Sequence, residues 1–493
     1  MKILLVYPDY ENTFWSFKKV LKLLGKAASF PPLGLMTIGS MLPDAWEKKL
    51  IDMNCEILKD EQIKWADYVF ISAMIVQKDS SKRVIARVQK LGKPIVAGGP
   101  LFTTGYEEFP EVDHLVLGEV EDMFDDVIND IKNSTLKKMY VANSFPDITK
   151  AAVPAWDLIK LKKYNSMCVQ LSRGCPFNCE FCDVVQLNGR VPRLKTPEQL
   201  INELESLRLK GWRAGVFFVD DNLIGNKAQL KKVYLPAIIE WQKANNHPLT
   251  FNTQVSINIA DDEELMRLMV DAGFTTVFIG IETPDAASLE ECGKFQNKNR
   301  DLTGSIKAIQ NIGLEVQGGF IVGFDSDEAS IFQRQIDFIQ KSGIVTAMVS
   351  VLTALPKTKL YQRLKDTGRL LKRTSGNNTS QSGLNFVPTM DTDELIHGHQ
   401  KIISTIYEPK SYYARIRTLL EEYRPKRFKK SKLSMYYVRA AFNCFWFLGI
   451  RDKSRKYFWR LIGWSLIHKP KLLPQAIGFS LIGLHFRSVG IEN

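Results

Sequence analysis

MCVQLSRGCPFNCEFC, residues Met167–Cys182, decides how the chain is organised. A short apolar strand pattern, Met167–Leu171, runs through Ser172–Arg173–Gly174 into Cys175, Cys179 and Cys182, a CxxxCxxC spacing. Three thiolates on one tight loop can each take an iron of a cubane cluster and leave the fourth iron open to an outside ligand. Zinc is the competing occupant. Structural zinc uses four ligands, commonly as two CxxC-like pairs, and no second pair follows here. Cys168 lies on the preceding strand, and Cys55, Cys292 and Cys444 are scattered. Seven cysteines, three of them within eight residues, suit a reducing compartment and a metal site rather than a disulfide scaffold.

C-terminal to this loop the chain alternates strand and helix patterns to residue 370. The strands are expected at Met167–Leu171, Gly215–Val219, Thr250–Gln254, Thr276–Ile279, Val316–Val322 and Thr346–Leu352, with helices such as Pro197–Lys210, Asp261–Ala272 and Ser330–Lys341 between them. Six repeats over residues 166–370 predict a partial (β/α)6 barrel with its chemistry at the C-terminal strand ends.

On the N-terminal side, residues 1–135 alternate in the same way. Apolar runs at Lys2–Tyr7, Lys49–Met53, Tyr68–Ala73, Pro94–Ala97 and His114–Leu117 enclose helical stretches at Gly34–Leu42, Ser81–Leu91 and Asp122–Ile131. Continuous apolar strands predict a parallel sheet covered on both faces, a flavodoxin-like α/β domain that binds ligands at its strand carboxyl ends. Tyr7–Pro8, Gly98–Gly99–Pro100 and Gly118–Glu119 follow three of those ends. Residues 136–165, with Pro146 and Pro154, read as a linker, and residues 371–493 as a helical domain that opens on the polar stretch Thr374–Gly383.

The net charge is +12, and from Lys410 onward 18 Lys and Arg face 4 Asp and Glu. The first 409 residues are therefore close to neutral, and the basicity belongs to an aromatic-rich tail. An anionic membrane surface, an acidic substrate or nucleic acid could each meet such a tail. Its aromatics come in clumps (Phe445–Trp446–Phe447, Tyr457–Phe458–Trp459) rather than a stacking ladder, and no RNA-binding module is visible, so nucleic acid is not expected. The opening MKILLVYPDY has too short an apolar run for a signal peptide, and no apolar stretch approaches the roughly 18–20 residues of a spanning helix. The expectation is a cytoplasmic protein able to rest on the inner membrane face.

The cysteine triad, the aromatic Phe181 before its third member, and the order of the strand-end elements resemble the radical SAM (S-adenosylmethionine) superfamily. With the flavodoxin-like domain in front, and with Ser29–Leu35 (SFPPLGL), Gly98–Gly99–Pro100 and Leu117–Gly118–Glu119, nearly the whole chain resembles the cobalamin-binding radical SAM family, such as the hopanoid and bacteriochlorophyll C-methylases. That resemblance implies a 4Fe–4S cluster on Cys175, Cys179 and Cys182. It implies S-adenosylmethionine contacts at Phe181, Asp220, Asp221, Gln254, Ser256, Asn258, Gly280, Glu282 and Gly323. It implies cobalamin contacts at Tyr7, Pro8, Pro32, Gly34, Leu35, Ser72, Gly98, Gly99, Gly118 and Glu119.

Two departures stand out. Asp220–Asp221 replaces the family's Gly-Gly-Glu, and no Asp-x-His-x-x-Gly supplies a histidine to cobalt; Asp113–His114 has the wrong spacing. The implied reaction is methylation of an unactivated carbon on a small hydrophobic polycyclic substrate, a hopanoid or other isoprenoid lipid or a tetrapyrrole, through a 5′-deoxyadenosyl radical and methylcobalamin. Flavodoxin or ferredoxin is the implied electron donor. Oxidative cyclisation of a tetrapyrrole with the same cofactors is the alternative. RNA modification is disfavoured, because its usual second cluster needs three more cysteines where only Cys55 stands. No general acid or base is identified; His397 and His399 read as surface residues of a helix.

Overall fold

A computed structural model describes residues 1–371, 374, 376–379, 383–426 and 444–492. The first sheet contains β1 (Lys2–Tyr7), β2 (Glu47–Asp52), β3 (Tyr68–Ser72), β4 (Ile95–Gly98), β5 (His114–Leu117) and β6 (Met139–Val141). Its order is β2-β1-β3-β4-β5-β6, parallel throughout. The strands read as unbroken apolar runs because both faces are covered. Ile3 and Leu5 of β1 pack into one core with Met36, Val127 and Ile128, while Leu4 and Val6 enter a second with Val84, Ile85 and Val88. Each such fully buried side chain contributes about 1.5–3 kcal/mol.

The linker expected over residues 136–165 is corrected here, since it supplies the edge strand β6. Three residues are too few for alternation to register in the sequence. The remainder runs as single turns at Ile148–Lys150, Trp156–Leu158 and Leu161–Lys163. Trp156 is buried and donates from Nε1 to Ser206 Oγ at 2.9 Å, which ties this segment to the next domain.

That next domain is the six-stranded barrel. After β7 (Met167–Val169) come a two-stranded ribbon, β8 (Ser172–Arg173) and β9 (Arg193–Leu194), then β10 (Gly215–Phe218), β11 (Thr250–Gln254), β12 (Phe274–Glu282), β13 (Glu315–Val322) and β14 (Ala347–Val351). The parallel order β7-β10-β11-β12-β13-β14 leaves the barrel open between its two edges, as expected of a partial barrel. Alternate residues divide two environments. Phe218, Phe251 and Phe274 form a buried ring cluster with centroids 5.1–5.3 Å apart. On the opposite face Phe217, Asn252, Gln254, Phe278 and Gln317 are half-buried and line the barrel interior. Strand β12 is longer than the expected Thr276–Ile279 and takes in Gly280 and Glu282 at its carboxyl end.

The C-terminal part is helical: Thr392–Tyr407, Pro409–Glu422, Arg455–His468 and Leu473–Glu492. His399 is not a surface residue. It is buried against β14, its Nε2 2.8 Å from Val349 O, because it lies on the apolar stripe with Leu395, Ile402 and Ile406. The C-terminal helix closes on the N-terminus: His485 Nε2 lies 3.0 Å from Phe14 O, and the rings of Phe14 and Phe486 are 5.5 Å apart. The described part of the polar stretch 374–383 also reaches the first domain, where Asn377 Nδ2 donates to Glu11 Oε2 at 2.9 Å.

Candidate active site

The cysteine loop is clamped from three directions. At its base, Gly174 adopts φ +102, and a Cβ there would fall 2.8 Å from Val191 O. From the end of β10, Asp220 accepts from the backbone N–H of Leu171 and Ser172 and from Ser172 Oγ. Beside it, Asp221 accepts from Gly174 N at 3.1 Å and Asn188 Nδ2 at 2.9 Å. From the far side, Arg363 makes a two-pronged bond to Glu180, at 2.6 and 3.0 Å. From the first domain, Glu119 reaches Arg173 and Arg193 on the two ribbon strands that flank the loop.

Asp220 therefore has a different part from the expected S-adenosylmethionine contact. It is fully buried, and its oxygens are taken up by the chain. Burial raises it to about 6 against the pull of those donors. Asp221 likewise positions the loop. The acidic pair in place of Gly-Gly-Glu thus serves the cysteines.

Cys175, Cys179 and Cys182 are free and half-exposed. Burial pushes all three thiols up, with the Lys294 ammonium pulling each the other way, so metal binding must displace protons. Among the described residues no three His, Cys, Asp or Glu side chains are gathered tightly enough to hold a single metal ion. A cubane, in which each cysteine reaches its own iron, asks for a wider spread of sulfurs than a lone zinc. The donor set fits the cluster.

Lys294 is the site residue the sequence reasoning missed. Its Nζ lies 2.6 Å from Glu282 Oε1 in a nearly buried pair. Burial works against its charge, but Glu282 and then Cys179 outweigh that and hold the ammonium above its ordinary range. The closeness of Lys294 to Cys292 in sequence was the one available signal. Glu282 itself is left-handed, φ +63. A Cβ at Gly280 would fall 2.8 Å from Lys294 Nζ and closer still to Glu282 Oε1, so a side chain there would push against the pair. A carboxylate and an ammonium side by side next to the thiols match the ammonium and carboxylate of an amino-acid moiety, the methionine end of S-adenosylmethionine.

The other expected contacts are placed as follows. Phe181 faces Phe324 with centroids 6.3 Å apart. Gly323, φ +103, donates its N–H to Asp327 Oδ2 at 2.8 Å. Gln254 ends β11, Ser256 follows it and Asn258 lies in the turn Ile257–Asp261, all three half-buried; Ser256 Oγ donates to Asn258 Oδ1 at 2.6 Å, and Asn222 Oδ1 accepts from Ser256 N at 3.1 Å.

At the carboxyl ends of the first sheet, Tyr7, Ser72, Gly98, Gly99 and Gly118 are half-exposed along one edge, and Met74 just beyond β3 is 43% exposed. Such a shelf fits a large flat cofactor at the point where the strand order turns between β1 and β3. The glycines have a second reason to be there: a Cβ at Gly98 would meet Val116 O at 2.8 Å, and one at Gly118 would meet Ala142 Cβ at 2.8 Å. Pro8 is buried and its carbonyl accepts from Gln77 Nε2. Gly34 is exposed at the start of the Leu33–Met41 helix. Pro32 and Leu35 are both buried at the start of that helix, Leu35 in the core. Glu119, beside Gly118, commits its carboxylate to two arginines. His114 opens β5 at the opposite end of the sheet, its Nδ1 2.8 Å from Lys137 O, far from any cobalt on the shelf.

Known proteins share this arrangement. A B12 binding domain model matches residues 26–128, a radical SAM superfamily model residues 169–339, and a domain of unknown function (DUF4070) residues 358–492. The chain is 38% identical to an uncharacterized methyltransferase of Synechocystis over 99% of its length and 91% of that protein. It is 33% identical to the hopanoid C-2 methylase of Rhodopseudomonas palustris over 93% of its length and 88% of that protein. Its fold is similar to that of the radical S-adenosylmethionine methyltransferase TsrM from Kitasatospora setae, solved with cobalamin and a 4Fe–4S cluster, with a TM-score of 0.65 over 99% of each chain at 13% identity.

Proposed function

This chain belongs to the cobalamin-dependent radical SAM methylases, and on that premise we propose that it methylates an unactivated carbon of a hydrophobic polycyclic substrate of the hopanoid type. Its cofactors are a 4Fe–4S cluster, S-adenosylmethionine and cobalamin. Bound together, they supply one-electron cleavage of a sulfonium, removal of a hydrogen atom from the substrate carbon, and the methyl group that replaces it.

The chain's own residues hold these groups in line. Cys175, Cys179 and Cys182 take the irons on a loop fixed by Asp220, Asp221 and Arg363. Glu282 and Lys294 take the ammonium and carboxylate of the methionine moiety, and Phe181 flanks the adenine. The shelf at Tyr7, Ser72, Gly98–Gly99 and Gly118 takes the corrin. Fixed placement of three reacting groups removes much of the entropic barrier.

One observation carries the substrate reading. Trp15 and Phe30 of the first domain meet Phe278 and Phe217 on the inner barrel face, each pair with centroids 5.0 Å apart. An apolar aromatic wall at the meeting of the two domains suits a polycyclic hydrocarbon and excludes water from the reacting carbon. Similarity to a hopanoid methylase along 93% of the chain supports the same class. The reading includes a flavodoxin or ferredoxin as reductant and peripheral contact with a membrane through the basic C-terminal part. Among the described residues no helix is long and apolar enough to cross a membrane.

The test is anaerobic expression with cobalamin in a hopanoid-producing host fed methyl-deuterated methionine, with lipid and pigment extracts compared by mass spectrometry against Cys179→Ala. A hopanoid carrying the labelled methyl group, absent from the variant, is expected. Label on a tetrapyrrole would replace the substrate class, and a new unlabelled product would favour oxidative cyclisation.

A further inference from the structure

The helix Arg455–His468 is apolar on two sides. Phe458, Leu461, Ile462 and Ser465 form its buried face. The opposite face, at positions 456, 459, 460, 463, 466 and 467 of a 3.6-residue turn, faces solvent, yet it carries Trp459, Leu466 and Ile467. Trp459 Nε1 donates to Gly449 O at 2.9 Å and its ring lies close over Gly449, which sets the neighbouring Trp446 and Ile450 beside it. These five side chains are exposed from 49% for Trp459 to 78% for Ile467. Large apolar side chains grouped on a solvent face mark an exposed apolar patch.

The charges around it say what covers it. Arg451, Lys453, Lys456, Arg460 and Lys471 are all exposed. The only carboxylate among the described residues of 444–471, Asp452, is turned inward to Ser454 and Arg487. The nearest exposed acid on the helix packed against Arg455–His468, Glu421, is paired with Arg417. Tryptophans and branched apolar chains in a predominantly cationic frame complement an anionic bilayer surface, where tryptophan sits at headgroup level and lysine and arginine meet phosphates.

Resting on the polycyclic-lipid reading of the active site, we infer that Trp446, Ile450, Trp459, Leu466 and Ile467 form the face on which the enzyme docks to an anionic phospholipid bilayer. The docked domain leads toward the barrel. Its last helix packs on Phe14 through Phe486, and the adjacent Trp15 packs against Phe278 at the inner barrel face. The docking domain and the aromatic wall at the barrel are thus joined by continuous apolar packing.

The experiment is co-sedimentation of the full chain with vesicles of phosphatidylcholine alone or mixed with phosphatidylglycerol, which involves no turnover. Binding to the mixed vesicles and release by salt are expected. Arg460→Glu should weaken partitioning by more than the about fivefold attributable to one basic residue at such a surface. Leu466→Ser with Ile467→Ser should weaken it at least as far, at an unchanged melting temperature. Wild-type protein that ignores anionic vesicles overturns the inference, and so does equal binding by these variants. A dimer in solution that the same substitutions dissolve would instead make this face a contact between copies. Label transfer to a lipid without vesicle binding would keep the methylase reading and reject the docking face.

Discussion

Glu119 of the first domain binds Arg193 of the barrel's ribbon through both carboxylate oxygens, to Nη2 at 2.5 Å and Nη1 at 3.1 Å, and it binds Arg173 Nη1 at 2.6 Å. Arg173 stands two residues before Cys175 and also meets Glu121 at 2.8 Å. The strand-end turn that borders the shelf proposed for cobalamin is thus bonded to both sides of the cysteine loop. Removing one partner of a fully enclosed ion pair costs about 3–5 kcal/mol. Arg173 keeps Glu121, so we expect Glu119→Gln to cost about 2 kcal/mol. The melting temperature should fall by several degrees, and both iron and cobalamin retained through gel filtration should drop. Loss of cobalamin with full iron retention would show that Glu119 acts on the shelf alone.

Asp220 gives a sharper test, because its two possible parts predict opposite losses. As a clamp it satisfies buried N–H groups of Leu171 and Ser172, and Asp220→Asn turns one acceptor into a donor facing them. Leaving charge-assisted bonds unmade at a buried site costs about 3 kcal/mol. The variant should take up less than half the wild-type iron on reconstitution, and the fraction that does load should bind S-adenosylmethionine with ordinary affinity. Full iron content with weakened S-adenosylmethionine binding would return Asp220 to ligand contact.

Most of the architecture was legible in the sequence for a physical reason. Strands buried on both faces must be apolar throughout, so β1, β3 and β10 announce themselves, and a three-thiol loop is rare enough to name its chemistry. What the sequence hid depends on distance in the chain. Glu119 and Asp220 sit where a ligand contact belongs, and only the fold reveals that Arg193, 74 residues away, and Leu171, 49 residues away, use those carboxylates. Lys294 was hidden because its partners, Glu282 and Cys179, are gathered only by the barrel. Strand β6 was too short to show a period, and His399 looked polar in a helix whose apolar stripe it completes. The glycines after the strands were noticed, but Val116 and Ala142 explain two of them as well as any ligand does.

Glu315 opens β13 on the inner face, where it accepts from Thr276 Oγ1 and Gln317 Nε2, both at 3.3 Å. Burial pushes its carboxyl up to about 7, against the pull of those two donors. The folded chain therefore holds a proton there that the unfolded chain, with an ordinary glutamate, releases near 4.5. Between those values the native state binds more protons, so this group's contribution is fully present below about 4.5 and is lost as pH rises through about 7. Glu315→Gln keeps a neutral side chain of the same shape at every pH. The variant should melt close to wild type at pH 5 and above it at pH 8, by about 1–2 kcal/mol once solvent screening is allowed for. Calorimetry at the two pH values checks this. A difference of the same size at both would mean the gain comes from packing rather than from the charge, and a variant less stable at pH 8 would mean that the ionised carboxylate has a cation beside it.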